Sequence, residues 1–144
     1  MTSKLNPYLG FRDNAREALE FYHSVFGGDL TIHTFAEFHA SEEVDEQDLV
    51  MHGQLDTPSG YVLMASDTPK SMAYDPGSAI TISLSGPASD AAELRGYWNG
   101  LSAGATAVMP LEKAPWGDVF GMLTDRFGTA WMVSIGTEDS PAAA

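Results

Sequence analysis

Apolar and polar positions fall into two successive, similar passages along this chain. The first opens on Leu5-Asn-Pro-Tyr-Leu-Gly-Phe11, a short strand pattern that runs into Asp13 and Asn14, both good helix caps. With Asn14 as the cap, Glu17 falls at the third helical position and can close a capping box. Ala15, Ala18, Leu19, Tyr22, Val25 and Phe26 then recur at helical spacing on one face, and Gly27-Gly28 stops the helix. Strand patterns follow over residues 30–36, 49–55 and 61–66. The second passage repeats this order. Residues 79–85 alternate Ile80, Ile82 and Leu84 against Ala79, Thr81 and Ser83, as a half-buried strand does. Ser89 or Asp90 can cap a helix carrying Ala91, Leu94, Trp98 and Leu101 on one face, and Gly104 ends it. Strands then fit residues 106–111, 119–124 and 129–135, so each passage reads β-α-β-β-β and the fold class is α+β.

The duplication is clearest in a hairpin and its echo. Residues 116–135 read Trp-Gly-Asp-Val-Phe-Gly-Met-Leu-Thr-Asp-Arg-Phe-Gly-Thr-Ala-Trp-Met-Val-Ser-Ile, and residues 56–66 read Asp-Thr-Pro-Ser-Gly-Tyr-Val-Leu-Met-Ala-Ser. Gly60 matches Gly128, Met64 matches Met132 and Ser66 matches Ser134, while Gly28 maps to Gly104 at an offset of 76. A repeated hairpin indicates a repeated module. At 144 residues we expect one domain. Module one covers about residues 4–67, a turn-rich linker about 67–78, module two about 79–136, and a tail at 137–144 has little to bury and should fray. Residues 37–48 hold Glu42, Glu43, Asp45, Glu46 and Asp48 and read as a solvated loop or short helical turn.

Charge and composition then narrow the partners. Twenty Asp and Glu stand against 7 Lys and Arg, a formal net charge of -13 that repels phosphate backbones and tolerates cationic small molecules. Nucleic acid is therefore not an expected partner. The chain has no cysteine, which removes disulfides, zinc–thiolate sites and thiol nucleophiles together. No stretch reads as a signal peptide or is long enough to span a bilayer, so the expectation is a cytoplasmic protein with no membrane partner.

Paired β-α-β-β-β modules with the Trp-Gly-Asp-x-Phe-Gly-x-x-x-Asp-x-Phe-Gly-x-x-Trp-Met pattern resemble the vicinal oxygen chelate superfamily, which includes glyoxalase I, bleomycin-resistance proteins and extradiol dioxygenases. Asn6-Pro-Tyr-Leu-x-Phe, Ala18-Leu-Glu-Phe-Tyr22 and Met109-Pro-Leu-Glu-Lys113 resemble its PhnB-like branch, and the likeness covers about residues 4–136. The resemblance implies two modules side by side, each sheet curled around an open cleft with helices outside, and a homodimer. Members of this branch are often labelled as similar to a 3-demethylubiquinone methyltransferase. A methyl-donor site of the usual α/β kind needs a Gly-rich turn before a helix, whereas Gly27-Gly28 comes after one.

Metal-using members of the superfamily carry His, Gln or Glu at four cleft positions. Alignment by motif puts Asn6 at the first, Met64 at the second, Ala79 near the third and Met132 at the fourth, none of them an imidazole or a carboxylate. The expectation is no bound metal and no cofactor. Strand alternation places further residues. If Asp56 and Gly60 flank a three-residue turn, Gln54 pairs with Val62 and His52 with Met64; turning at Arg126-Phe127 sets Gly121 opposite Met132. The cleft is then lined by Asn6, Tyr8, His52, Met64, Thr81 and Met132, with Trp116 entering from a loop. His52 is the one candidate base, since imidazole exchanges a proton near neutral pH; a strand histidine bonded to a neighbour is the structural alternative. His23, His33 and His39 read as surface residues, and Ser24, Ser66 and Ser134 lack a nucleophile-elbow sequence.

Two functions lead, ahead of a third reading as a structural or regulatory dimer that takes no ligand. One is a metal-free binding protein whose clefts take an unidentified aromatic or cationic amphipathic molecule, as bleomycin-resistance relatives sequester cationic drugs. The other is a lyase or dioxygenase-type enzyme of the same superfamily, with a non-standard site built from His52, Tyr8 and Glu37.

Overall fold

The computed structural model describes residues 4–75, 77 and 79–137. The chain divides into two compact units, Met1–Pro76 and Gly77–Ala144. Unit one runs β1 (Tyr8–Phe11), α1 (Ala15–Phe26), β2 (Asp29–Thr34), β3 (Val50–Asp56) and β4 (Val62–Asp67), with 3-10 turns at Ala36–Phe38 and Val44–Glu46. Unit two runs β5 (Thr81–Gly86), α2 (Ala91–Leu101), β6 (Thr106–Lys113), β7 (Val119–Thr124) and β8 (Ala130–Ile135), with a 3-10 turn at Ala88–Asp90. Each is β-α-β-β-β, as the pattern predicts. Residues 1–3, Pro76 and Ser78 of the linker, and the tail beyond Thr137 lie outside the described residues.

Both sheets are mixed and open, ordered β1-β4-β3-β2 and β5-β8-β7-β6. The first strand of each unit pairs parallel with the last, and the other neighbours are antiparallel. Register is set by two hairpins of the same kind. Thr57 N–H donates to the Tyr61 carbonyl at 3.0 Å and Gly60 N–H to the Thr57 carbonyl at 3.0 Å; Asp125 with Thr129, at 2.8 Å, and Gly128 with Asp125, at 3.0 Å, repeat the arrangement. Each loop is three residues long and closes on a glycine at positive φ, 88° for Gly60 and 90° for Gly128, the left-handed position this hairpin type requires.

The turns therefore begin one residue later than expected in the first unit. Gln54 pairs with Met64, not Val62, because Pro58-Ser59-Gly60 is the loop. A shift of two keeps every side chain on its expected face, so His52 still shares a face with Met64. In the second unit Gly121 pairs with Val133 and Met122 with Met132, a slip of one that moves Gly121 to the opposite face from Met132.

Two glycines hold the helices down. A Cβ at Gly53 would lie 2.2 Å from Leu19 Cδ1, and one at Gly121 would lie 2.9 Å from Trp98 Cη2 and 3.0 Å from the Leu111 nitrogen and the Met109 carbonyl. Gly53 and Gly121 occupy equivalent places in β3 and β7, opposite Ala65 and Val133. The α1 side of the first sheet collects Leu55, Leu63 and Ala65, and the α2 side of the second collects Leu84, Trp131 and Val133, all buried. Apolar area removed from water on these faces drives folding at roughly 25 cal/mol per Å².

The start of α1 is supplied at a distance. Asn14 makes no side-chain cap: its φ of -125° and ψ of 24° leave the extended conformation in which a cap side chain reaches forward. Instead Asp67, at the end of β4 and buried, accepts the Ala15 N–H through Oδ1 and the Val50 N–H through Oδ2, both at 2.9 Å. One carboxylate thus fastens α1, β3 and β4. At the other end His23, at the last turn of α1, bonds through Nε2 to the Gly28 carbonyl at 2.8 Å, so this histidine is a structural one.

The acidic loop is more ordered than its composition suggests. Glu46 is buried and accepts the Ser41 hydroxyl at 2.6 Å and the Lys70 N–H at 2.7 Å, contacts that hold its carboxyl below the usual glutamate range. Lys70 also pairs with Asp45, which lowers that carboxyl in turn. Replacing Asp67 with alanine orphans two buried N–H groups at 1–3 kcal/mol each, so urea unfolding should show a loss of about 3 kcal/mol; unchanged stability would mean that α1 is held by other means.

Candidate functional site

With Gly53 and Gly121 turned toward the helices, alternation sends the even-numbered residues of β3 and β7 to the other side of each sheet. In unit one that helix-free face carries a row across all four strands: Tyr8 beside Met64, Met64 opposite Gln54, and Gln54 opposite Thr31. The next row contains Gly10, Ser66, His52 and His33, with Gly10 beside Ser66 and His33 opposite His52. Tyr8 Oη lies 3.0 Å from His52 Nδ1, with ring centroids 5.6 Å apart. If Tyr8 donates, His52 keeps its proton on Nε2 and presents a donor there. Tyr8 is 53% exposed and His52 half-buried, so the pair is reachable from solvent.

Beside this pair, His33 Nδ1 lies 3.1 Å from Glu37 Oε2, and the same carboxylate oxygen accepts the Thr34 N–H at 2.9 Å. Glu37 is thereby committed to its own turn and to His33; no direct contact joins it to His52. His33, read from sequence as a surface residue, keeps a side chain that is 43% exposed and pairs with His52 across the ladder.

Unit two builds the same face from different side chains. Met132 stands opposite Met122, and Met122 opposite Met109, a row of three thioethers across three adjacent strands, with Ser83 beside Met132. The neighbouring row is Ser85, Ser134, Phe120 and Glu112. Trp116 sits at the tip of a third hairpin of the same type, closed by Ala114 N–H to the Asp118 carbonyl at 2.7 Å, and its ring meets Phe120 edge-on at 5.5 Å. It is 58% exposed. Thr81 opens β5 on this face, beside Ala130.

Of the residues expected to line the cleft, Tyr8, His52 and Met64 share one face of unit one, and Thr81 and Met132 share one face of unit two; Trp116 packs on Phe120 of that face, at the end of the sheet away from Thr81. Asn6 precedes β1, half-buried and outside any strand. Sequence reasoning missed Gln54, Met122, Met109 and Phe120. The signal was present: Gln54 and Met122, like His52 and Phe120, are matched positions of the two hairpins once register is set by Gly60 and Gly128.

The four positions where the superfamily places metal ligands do not fit a hard divalent ion. Met64 has Tyr8 as its strand neighbour and Met132 has Ser83, while Asn6 and Ala79 fall outside the strands. Thioethers and hydroxyls are poor ligands for such ions, and the nearby imidazole of His52 already engages Tyr8. A cavity of about 510 Å³ in unit one, lined by Ser41, Glu42, Glu43, Glu46 and Lys70 among others, is a separate feature in which Glu46 is held by Ser41 and the Lys70 N–H while the Lys70 ammonium pairs with Asp45.

The signature hairpin itself serves structure. Asp125 is buried and its Oδ1 accepts the N–H groups of Phe127, at 2.8 Å, and Thr129, at 3.0 Å, while Oδ2 accepts the Trp131 indole N–H at 2.8 Å. The Asp-x-Phe-Gly-x-x-Trp spacing is the spacing of those bonds.

The profile of the family described as 3-demethylubiquinone-9 3-methyltransferase matches residues 3–134. The chain belongs to that family. Protein PA1353 from Pseudomonas aeruginosa is similar at 38% identity and a TM-score of 0.76, covering 94% of this chain and 99% of that one. A PhnB protein from Bacillus cereus shares the fold at 21% identity and a TM-score of 0.63, covering 93% and 100%. The bleomycin resistance determinant encoded on transposon Tn5 does so at 17% identity and 0.55, covering 94% and 98%. The fold is therefore that of the vicinal oxygen chelate superfamily, in its PhnB-like branch. The family's methyltransferase description finds no Gly-rich phosphate-type turn in Gly27 and Gly28, which follow α1 at φ values of 73° and 98°.

Changing Tyr8 to Phe removes one exposed hydrogen bond. Global stability should fall by no more than about 1 kcal/mol, while the His52 imidazole nitrogen resonances move. Unmoved resonances would show that the two side chains do not meet in solution.

Proposed function

We propose that this protein binds a small aromatic or cationic amphipathic molecule on the helix-free faces of its sheets, without a resident metal ion or other cofactor, and that it works as a cytoplasmic homodimer. Asn6, Tyr8, His52, Met64, Thr81, Trp116 and Met132 are the proposed ligand contacts, with Gln54, Met122 and Phe120 added to them. The observation that carries the reading is the contrast between the two faces. One offers a hydroxyl, an imidazole and an amide; the other offers three thioethers in a row beside an edge-on Trp116–Phe120 pair. Soft, flexible thioethers and aromatic edges adapt to flat, polarisable guests, and a few convergent polar groups orient them.

Charge agrees with this choice. A net charge of -13 raises the local concentration of cations, and Glu112, opposite Phe120, places a carboxylate at the margin of the apolar row. The fold is shared with a bleomycin resistance determinant, so a binding role is within the reach of this scaffold. No helix among the described residues is long and apolar enough to cross a membrane. An enzymatic reading with His52 as base draws support from the Tyr8–His52 hydrogen bond alone, and the thioether row gives it nothing to act with.

A thermal-shift panel tests the proposal, because a ligand that binds only the native state raises the melting temperature by RT ln(1 + [L]/Kd), about 2.7 kcal/mol at a hundredfold excess over Kd. Fused-ring aromatic and aromatic cationic compounds should shift the transition in protein stripped with chelator as well as in untreated protein. A shift that requires added Zn, Ni, Mn or Fe, or a panel with no shift at all, would overturn it.

A further inference from the structure

Ser134 has a feature that its role in β8 does not explain. The residue is 2% exposed, and its hydroxyl is buried without a hydrogen-bond partner, alone in this respect among the described residues. Leaving a hydroxyl in that condition costs roughly 1–3 kcal/mol, and alanine would fill the same backbone position without the penalty. Strand propensity does not favour serine there either. A buried polar group kept at a cost marks a place where something else completes the hydrogen bond.

The register says what lies around it. Ser134 is two residues from Met132 on the same strand and therefore shares the helix-free face. Ser85 flanks it on β5 and Phe120 on β7, and Phe120 in turn meets the exposed Trp116 ring. The adjoining row is Met132, Met122 and Met109, the last 54% exposed. The hydroxyl thus sits at the edge of a thioether and aromatic surface. Because the hydroxyl is buried, a guest meets it only when the flanking Ser85 and Phe120 side chains part.

We propose that the Ser134 hydroxyl is the specificity-determining hydrogen-bonding group of this face, reserved for a hydroxyl or carbonyl on the edge of a flat fused-ring ligand whose body rests on Met132 and Met122. This rests on the binding role proposed above and adds the polar feature that the guest must carry. A serine hydroxyl both donates and accepts, so either group satisfies it. The ring alone gains only apolar contact. Sites built to meet a polar group discriminate against the analogue that lacks it, because the buried partner is then left unpaired.

A matched pair of probes, 2-naphthol and 2-methylnaphthalene, tests this by calorimetric titration against the native protein and Ser134→Ala. The native protein should prefer 2-naphthol by up to about tenfold, the worth of one hydrogen bond. In Ser134→Ala that preference should collapse while affinity for 2-methylnaphthalene is kept and the melting temperature is equal or higher. Equal preference in both proteins, or a variant with a lower melting temperature, would show that the hydroxyl serves the fold or is met by an internal water, and the inference fails. Failure of both probes to bind the native protein would instead reject flat-ring binding itself.

Discussion

Register in the two central hairpins is the constraint on which the rest of this structure depends. A strand has a period of two, so a slip of one residue exchanges every helix-facing side chain with its opposite. Here the exchange is prevented at the loops. Gly60 and Gly128 close three-residue turns in the left-handed conformation, and in unit two the Asp125 carboxylate binds two turn N–H groups and the Trp131 indole together. In unit one Thr57 takes the corresponding place, its hydroxyl accepting the Tyr61 N–H at 2.9 Å. A neutral hydroxyl is a lighter fastening than a buried carboxylate with three donors.

From that register the division of labour between faces follows. Gly53 and Gly121 admit Leu19 and Trp98 to within van der Waals contact of the backbone, which leaves no room for a side chain and commits the odd-numbered positions of both strands to the helices. The even-numbered positions are free to vary. They have done so in opposite directions: His52 and Gln54 in one unit stand where Phe120 and Met122 stand in the other. The β-α-β-β-β backbone occurs twice, and the different residues at matched positions make one face polar and the other soft and apolar.

Much of this was legible in the sequence. Helical periodicity with a double-glycine stop located α1 at Ala15–Phe26, and the Gly, Met and Ser matches between the hairpins revealed the repeat. What escaped was long-range. Asn14 looks like a cap, but the Ala15 N–H is taken by Asp67, a residue 52 positions on that no local pattern connects to the helix. Glu46 reads as one more surface acid, yet backbone and hydroxyl donors bury it. The row of Met109, Met122 and Met132 was hidden by a hairpin register set one residue wrong, and by irregular pairing along β6, where the register shifts twice. The Asp-x-Phe-Gly-x-x-Trp motif was easy to see and names the fold, because its conspicuous residues bind one another.

Methionine methyl resonances offer the most direct view of whether the helix-free faces are where a guest binds. With 13C-methyl-labelled methionine, titration with a flat aromatic compound should move Met122 and Met132 by ring-current shifts, with Met64 reporting on the other face, while Met72, exposed in the segment after β4, stays still. Shifts confined to Met72, or none at Met122 and Met132 under saturating compound, would contradict the account.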